Sequence, residues 1–186
     1  MIAAGSLLVL TGPVHSGKTT FLRDAASRWT EAGFRVGGFL SLLRKEGGLD
    51  QGYDLFDLRE GTARPFLELA GGTGWQAVGP WRLRPATLEA AEDILRRDSE
   101  ADILLIDEIG PLERGGGGLW PAFAGALAGG ARCLCVIREE ILEGFRAKIA
   151  PVTPAVFRHR DPGTFESLTA ALASLRSGRE RPGGPA

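Results

Sequence analysis

The chain has 186 residues and a formal net charge of −1, so it carries no basic footprint for a long polyanion such as nucleic acid. Its hydrophobic fraction of 44% and charged fraction of 24% are ordinary for a globular protein of one domain. No apolar stretch approaches the length of a membrane span, and the N-terminus lacks the pattern of a signal peptide. We therefore expect neither a nucleic-acid nor a membrane partner, and the sequence identifies no protein partner.

The two cysteines predict a structural role inside the protein. Cys133 and Cys135 lie two residues apart in an apolar run, which places both on one face of a predicted strand. Neighbours this close within one strand do not normally form a disulfide. Buried free thiols without a disulfide framework are typical of intracellular proteins, so we expect a cytoplasmic location.

The first chemical motif is Gly12–Thr20, which reads G-P-V-H-S-G-K-T-T and fills every fixed position of the Walker A pattern G-x-x-x-x-G-K-[ST]. The apolar run Ser6–Leu10 predicts a buried strand before it, and apolar residues at helical spacing predict a helix from the loop to about Ala32. In such a loop backbone N–H groups bind phosphate, Lys18 reaches the β- and γ-phosphates, and the Thr19 hydroxyl binds Mg²⁺. A chance glycine-rich turn is the alternative, which the flanking strand and helix disfavour.

The next part of the chain predicts an antiparallel excursion beside the main sheet. Its three predicted strands are Phe34–Leu43, Asp50–Leu58 and Thr62–Leu69. Asp54 and Asp57 are interpreted as exposed acids of a strand or turn. Gly71–Pro85 is predicted as a loop, in which Trp75 and Trp81 either flank a nucleotide base or pack in the core, the commoner fate of tryptophan.

The second chemical motif follows a predicted helix over Thr87–Arg97, for which Thr87 is the predicted N-cap. The apolar run Asp102–Ile106 predicts a strand that delivers Asp107 and Glu108 at its carboxyl end, as a Walker B element does. Asp107 would hold Mg²⁺ directly or through water, and Glu108 is placed to orient or deprotonate a water that attacks a γ-phosphate. Such an acid pair is a weak signal alone and a strong one after a complete phosphate loop.

Several charged side chains near the two motifs have alternative interpretations. Glu113 either supports the site carboxylates or is solvated, and the glycine tract after it is consistent with a mobile loop. His15 lies within the phosphate loop, where variable positions contribute mainly backbone. A transition state with charge on the γ-phosphate needs an extra cation, although a surface or helix-end salt bridge is the favoured interpretation of each candidate. The candidates are Arg114, Arg138, Arg158 and Arg160.

Strand and helix alternate through the rest of the chain. The predicted elements are a helix over Leu119–Ala128, a strand over Ala131–Ile137, a helix over Arg138–Ala150, a strand over Pro151–Phe157 and a last helix that starts at Pro162 with Asp161 as its cap and ends near Gly178. This alternation predicts one α/β domain over residues 1–178, with a mostly parallel sheet covered by helices on both faces. A disordered tail is predicted for Arg179–Ala186.

Four segments together resemble the small THEP-type nucleoside-triphosphatases, a family of thermophilic and cancer-related NTPases. They are G-P-V-H-S-G-K-T-T, G-G-F-L with the later G-Y-D-L, D-E-I-G-P-L-E, and R-H-R-D, and the similarity spans roughly Leu7–Leu175. The resemblance implies a RecA-like P-loop fold. It also implies slow, Mg²⁺-dependent hydrolysis of ATP, GTP or other nucleoside triphosphates to the diphosphate and phosphate, with loose base preference.

The resemblance also implies two nucleotide-contacting stretches. They comprise Gly12, Pro13, Val14, His15, Ser16, Gly17, Lys18, Thr19 and Thr20, and then Leu104, Leu105, Ile106, Asp107, Glu108, Ile109, Gly110 and Pro111. Within them Lys18 and Glu108 are the predicted catalytic residues, and Thr19 and Asp107 the predicted metal ligands. The chain departs from the family at Pro111, where lysine is usual, and at His159, where asparagine is usual.

Two other hypotheses fit the same fold. A small-molecule or nucleotide kinase would need an acceptor pocket and usually an arginine-rich lid, to which Arg158, Arg160 and Gly115–Gly118 could belong, although no dense lid signature is present. The other hypothesis is a nucleotide-binding module in cofactor biosynthesis. A guanine-specific switch is disfavoured, because the chain has no asparagine and no lysine followed two residues later by aspartate.

Overall fold

Nine strands and six α-helices make up the part of the chain that the computed structural model describes, residues 7–179. In chain order they are β1 (Leu7–Gly12), α1 (Lys18–Glu31), β2 (Val36–Glu46), β3 (Leu49–Asp57), β4 (Thr62–Glu68), β5 (Gln76–Val78), β6 (Trp81–Leu83), α2 (Pro85–Arg97), β7 (Ile103–Ile109), α3 (Pro111–Arg114), α4 (Trp120–Ala128), β8 (Cys133–Arg138), α5 (Leu142–Ile149), β9 (Ala155–Arg158) and α6 (Thr164–Arg179). A short 3₁₀ turn, Glu139–Ile141, precedes α5. None of the helices in this range is long and apolar enough to cross a membrane.

All nine strands belong to one sheet, in the order β5-β6-β4-β3-β2-β7-β8-β1-β9. The five strands from β2 to β9 in that order pair in parallel, which confirms the predicted mostly parallel core. β8 lies between β1 and β7, so one strand separates the phosphate loop from the acid-bearing segment. The phosphate loop follows the carboxyl end of β1, and the two acids lie at the carboxyl end of β7. Open α/β sheets bind their ligands at this edge.

The antiparallel half of the sheet is larger than the sequence predicts. β3, β4, β6 and β5 continue the sheet beyond β2 by antiparallel pairing. The prediction of a loop over Gly71–Pro85 is wrong, because this segment contains the β5–β6 hairpin, in which Val78 pairs with Trp81. Its strands have three residues each, too few for alternation of apolar and polar residues to be recognised.

The two tryptophans of this segment pack against neighbours in the antiparallel half. The Trp81 ring meets the Tyr53 ring edge-on at 5.6 Å between centroids, and the Arg84 guanidinium lies 5.3 Å from the centre of the Trp75 ring. These contacts favour the packing interpretation over that of a base-binding pair.

Two apolar cores cover the two faces of the sheet, as the alternation of strand and helix predicts. Val9, Ile106 and Cys135 point to the face covered by α2, α4 and α5. The neighbouring residues in each strand, such as Leu10 and Leu105, point to the face covered by α1 and α6. Burial on both faces explains why β1, β7 and β8 read as continuous apolar runs instead of alternating ones.

The cysteine prediction is confirmed within this packing. Cys133 and Cys135 are both free and fully buried, in the core beneath α2, α4 and α5. Burial raises the pKa of the Cys133 thiol to about 12, and it raises that of Cys135 as well. Both side chains therefore act as small core residues and not as reactive thiols.

The starts of α2 and α6 differ from the sequence predictions. Thr87 is not the N-cap of α2, which begins at Pro85; its hydroxyl instead donates to the Pro65 carbonyl oxygen at 2.6 Å. Likewise α6 begins at Thr164 and not at Pro162, and the Thr164 hydroxyl donates to the carbonyl oxygens of Arg158 and Asp161 at 2.7 and 2.8 Å. The Thr87 hydroxyl is therefore taken by a strand distant in sequence, and the Thr164 hydroxyl by the loop just before α6.

The C-terminal prediction is only partly covered by the structure. Arg179, the first residue of the predicted tail, is the last residue of α6. Residues 180–186, the rest of that tail, lie outside the described residues.

A buried ionic network fixes the start of the antiparallel half to α2. Asp57, interpreted above as an exposed acid, has a side chain only 1% exposed, as does Asp98 at the end of α2. The Arg97 guanidinium joins them, 2.9 Å from the Asp57 carboxylate and 2.8 Å from the Asp98 carboxylate. Asp98 also accepts the backbone N–H of Gly38 at 3.1 Å. The network thus ties β2, β3 and α2 together at one point.

No side chain fits at Gly38, which lies at this point of the network. Its φ is +94°, and a Cβ at this position would lie 2.0 Å from the backbone oxygen of Leu105 in β7. Glycine is therefore required where β2 meets the acid-bearing strand.

Arg97→Met tests the network. Burial by itself would raise the pKa of the Asp57 and Asp98 carboxyls, but hydrogen bonds from Arg97 hold both below the ordinary value. The variant leaves the buried Asp57 carboxylate without its cation and leaves Asp98 with only the exposed Arg59, 3.3 Å away. We expect unfolding free energy to fall by about 2–3 kcal/mol near pH 7, the low side of the range for buried pairs because Arg97 is itself 30% exposed.

Urea unfolding with Arg96→Met as the matched control measures this effect. Arg96 pairs with exposed Asp93 on the surface of α2, so that variant should stay near wild type. The lowered pKa values stabilise the fold above the ordinary aspartate pKa, and this contribution is lost as the pH falls through them. The gap between wild type and Arg97→Met should therefore narrow in acid. Equal urea midpoints for both variants near pH 7 would contradict the account.

Candidate active site

The loop between β1 and α1 forms a cradle for an anion. His15 and Gly17 have positive φ angles of 56° and 92°, which turn the backbone tightly before α1 begins at Lys18. The first turn of α1 has no side-chain cap and no acidic residue, so its N–H groups and the positive end of its dipole are available to phosphate oxygens. Phosphate would therefore supply the partners that the helix start lacks.

Lys18 is buried inside this loop, with only 7% of its surface exposed. Its Nζ donates to the carbonyl oxygens of Gly12 and Pro13 at 3.0 and 2.6 Å. Burial lowers the pKa of Lys18, while the nearby Glu108 and Asp107 carboxylates oppose that shift. A buried ammonium that donates only to neutral oxygens can gain a stronger partner in a phosphate.

Asp107 and Thr19 come together at the base of the loop. The Asp107 side chain is almost completely buried and accepts hydrogen bonds from the Thr19 hydroxyl and, at 3.4 Å, from the backbone N–H of Ser41. Burial raises the pKa of the Asp107 carboxyl to about 7, and the Thr19 hydrogen bond only partly opposes this. The positive charge of Lys18 also opposes the shift, but the two hydrogen bonds and this charge together do not offset the burial of the carboxylate.

This pair fits a hard divalent cation. A hydroxyl oxygen and a carboxylate oxygen are the donors that Mg²⁺ prefers, and Mg²⁺ usually completes its shell with water and substrate phosphates. Over residues 7–179 no group of three or more His, Cys, Asp or Glu side chains could hold a metal. A metal at Thr19 and Asp107 would thus share its coordination with a bound nucleotide.

A β-bulge in β7 lies at the two motif acids, Asp107 and Glu108. The step from Ile106 to Ile109 in β7 spans three residues, whereas the matching step from Cys135 to Ile137 in β8 spans two. The extra residue bends the strand locally and re-aims its side chains. The prediction that the strand ends at Ile106 is wrong, since β7 continues to Ile109 and carries both acids within its last residues.

Glu108 forms an ion pair with Arg138 on the neighbouring strand. The Nε and Nη2 atoms of Arg138 lie 2.9 and 2.6 Å from the same carboxylate oxygen of Glu108, and both side chains are about one-third exposed. Burial would lower the pKa of Arg138, but the hydrogen bond to Glu108 raises it overall. The guanidinium therefore stays charged beside the predicted base.

The other arginines nominated from the sequence lie away from these acids. Arg158 is 68% exposed and reaches only Glu139, at 3.9 Å, while Arg114 and Arg160 are exposed. The sequence alone names Arg138 as one of four candidates and does not show that it lies beside Glu108. That contact depends on β8 being the neighbour of β7, which no local residue pattern predicts.

Glu113 holds the segment after β7 in place. It is buried, with one carboxylate oxygen accepting the Gly110 N–H at 2.8 Å and the other the Leu119 N–H at 3.0 Å. The interpretation of Glu113 as a solvated acid is therefore wrong. Lys148 donates to the carbonyl oxygens of Glu113 and Arg114 at 2.7 and 3.0 Å, just before the glycine tract, and the Glu113 carboxylate holds Leu119 just after it. The mobility of the glycine tract stays a prediction.

His159 braces the phosphate loop from the other side. Its backbone N–H donates to the Thr11 carbonyl oxygen at 2.9 Å, and its ring meets Phe21 edge-on at 5.5 Å between centroids. A Cβ at Gly12 would lie 3.5 Å from the His159 Cβ. Burial, followed by the charges of Lys18 and Arg160, lowers the pKa of His159. The imidazole is thus a neutral support at neutral pH.

The predicted nucleotide-contacting residues differ in what they can reach. Most side chains of the phosphate loop are at least partly exposed. Leu104, Leu105 and Ile106, in contrast, are at most 1% exposed and pack in the two cores, where they support Asp107. The contacts of both stretches with a nucleotide stay predictions.

Comparisons with known proteins agree with this geometry. A family model described as NTPase matches residues 7–158. The nucleoside-triphosphatase THEP1 of Thermofilum pendens is 35% identical over 138 residues, which cover 73% of this chain and 75% of that protein. The nucleoside-triphosphatase THEP1 of Methanopyrus kandleri is 37% identical over 107 residues, which cover 57% of this chain and 58% of that protein.

Two solved structures share the fold. A human cancer-related nucleoside triphosphatase superposes with a TM-score of 0.69 at 25% identity, covering 96% of this chain and 100% of that one. THEP1 from Aquifex aeolicus superposes with a TM-score of 0.59 at 23% identity, covering 94% and 99%. They confirm the predicted α/β P-loop architecture. The match of the family model over residues 7–158 shows that this chain belongs to the NTPase family.

Proposed function

We propose that this chain hydrolyses nucleoside 5′-triphosphates to the diphosphate and phosphate, slowly, with Mg²⁺ and with a broad base preference. The observation that carries the proposal is the meeting of Lys18, Thr19, Asp107 and Glu108 at the carboxyl edge of β1 and β7. The printed names of the relatives, nucleoside-triphosphatases, support the same reaction class.

Binding begins with the triphosphate in the loop before α1. The backbone N–H groups of the loop and of the first turn of α1 donate to phosphate oxygens. Lys18 exchanges the carbonyl oxygens of Gly12 and Pro13 for the β- and γ-phosphates, which repays its burial. Thr19 and Asp107 would hold Mg²⁺, which when bound neutralises phosphate charge and orients the γ-phosphate.

Glu108 then activates the attacking water. The water oxygen forms a bond to the γ-phosphorus, and the bond from that phosphorus to the β,γ-bridging oxygen breaks. The electron pair of the broken bond leaves with the diphosphate, and a proton of the water passes to the Glu108 carboxylate. Asp107 is unsuited to this role, since it is buried against Thr19, whereas Glu108 is partly exposed.

Slow turnover and broad base preference are supported by two features. Glu108 is held by Arg138, so part of the carboxylate is engaged before it can accept a proton. The chain also lacks the N-K-x-D or T-K-x-D element with which guanine-specific switches read their base. The cytoplasmic location stays a prediction.

Phosphate release from ATP, GTP, CTP and UTP with Mg²⁺ and no added acceptor tests the proposed reaction. We expect all four to be hydrolysed at comparable rates, and Lys18→Ala to abolish release from each, because it removes the cation for the β- and γ-phosphates. Tight nucleotide binding without phosphate release would contradict the proposal and favour a kinase or a binding module.

Glu108→Gln tests the assignment of the water-activating residue. The amide keeps the shape of the side chain but cannot accept the proton, so we expect turnover to fall by about 100-fold or more. Nucleotide affinity should change by less than about threefold, since the phosphate contacts are untouched. Steady-state kinetics and equilibrium binding measure the two effects.

Glu143→Gln is the matched control for that substitution. Glu143 is 84% exposed on α5 and pairs only with Arg146 on the same surface, so this variant should behave as wild type. If Glu108→Gln also kept wild-type turnover, Glu108 would not be the base.

A further inference from the structure

Arg138 occupies a position between the two motifs that the strand order creates. It is the last residue of β8, and β8 pairs with both β1 and β7. In the register of β1 and β8 Arg138 lies opposite Gly12, where the phosphate loop begins. An arginine side chain that starts here lies beside both the Walker B acids and the start of the phosphate loop.

The charges around Arg138 show what it faces. Its guanidinium contacts Glu108 and lies close enough to Lys18 to oppose the positive charge of that residue. Both cations also lie near two acids, Glu108 and Glu140. A triphosphate in the loop would bring further negative charge to the same place, where Arg138 is the cation that lies outside the loop.

The present contact of Arg138 engages one of the two carboxylate oxygens of Glu108. Two N–H groups of the guanidinium point at one oxygen of the carboxylate, at 2.9 and 2.6 Å. This oxygen of Glu108 stays engaged for as long as the contact with Arg138 holds. A γ-phosphate carries more charge than a carboxylate and offers three oxygens, and the planar guanidinium matches two of them.

We propose that Arg138 is a further catalytic residue, which leaves Glu108 for the γ-phosphate when a nucleoside triphosphate binds. The same movement frees the Glu108 carboxylate to accept the proton of the attacking water and supplies the cation that stabilises the transition state. After hydrolysis the diphosphate has no γ-phosphate, so Arg138 returns to Glu108. The inference rests on the function proposed above.

The proposal predicts that Arg138 distinguishes triphosphates from diphosphates. With Mg²⁺ present, Arg138→Gln should weaken binding of the non-hydrolysable analogue AMP-PNP by about tenfold or more while changing ADP affinity by less than about twofold. Turnover of ATP should fall by about 1,000-fold, the size of effect found for arginines that contact the transferred phosphoryl group. Calorimetry and steady-state kinetics give the three values.

Two further variants keep the test interpretable. Arg146→Gln removes an arginine exposed on α5 and should leave both affinities and turnover unchanged. Arg138→Lys keeps the charge but loses the planar fork, so AMP-PNP affinity and turnover should fall between those of wild type and Arg138→Gln. Because ADP binding itself reports an intact phosphate loop, a variant that retains it is folded, and Arg138→Lys serves if Arg138→Gln does not fold.

The outcomes separate this inference from the proposed function. If wild type hydrolyses ATP but Arg138→Gln keeps the wild-type ratio of AMP-PNP to ADP affinity, Arg138 only positions Glu108 and the inference is overturned. If wild type binds both nucleotides but releases no phosphate from ATP, the proposed hydrolysis fails, while the affinity ratio still decides whether Arg138 binds the γ-phosphate.

Discussion

Parallel pairing of β8 with both β1 and β7 is the constraint on which the rest of the site depends. Because β8 lies between β1 and β7, the phosphate loop and the acid-bearing segment are two strand spacings apart at the same edge of the sheet. The bulge in β7 then turns Asp107 into the interior beside Thr19 and leaves Glu108 near the surface beside Arg138. The strand order and the bulge therefore place two adjacent acids in different surroundings, which fits the separate metal-binding and base roles proposed for them.

The site holds several charges that are stabilised incompletely by the protein alone. Lys18 is buried against neutral carbonyl oxygens, and burial raises the pKa of Asp107 to about 7. In the network of Arg97 with Asp57 and Asp98, by contrast, hydrogen bonds from a guanidinium hold the buried carboxylates in the ionised form. The contrast is physical evidence for function, because unmatched groups concentrated in one place are those that a charged ligand would stabilise.

The sequence predicts the parts of this molecule that local patterns determine. Continuous apolar runs identify β1 and β7, and fixed spacing identifies Lys18 and Thr19, because a phosphate loop needs those residues at those positions. The β5–β6 hairpin, the burial of Asp57 and the pairing of Glu108 with Arg138 escape prediction. Each depends on which strands become neighbours, and that information is distributed over the whole chain.

In the proposed reaction water is the acceptor of the γ-phosphoryl group, at the site formed by Lys18, Asp107 and Glu108. Hydrolysis of ATP in oxygen-18 water, without any added acceptor, tests it most directly. The account predicts equal amounts of ADP and phosphate, with one labelled oxygen in each phosphate released. ADP formed without labelled phosphate, with the phosphoryl group on another molecule or on the protein, would contradict it.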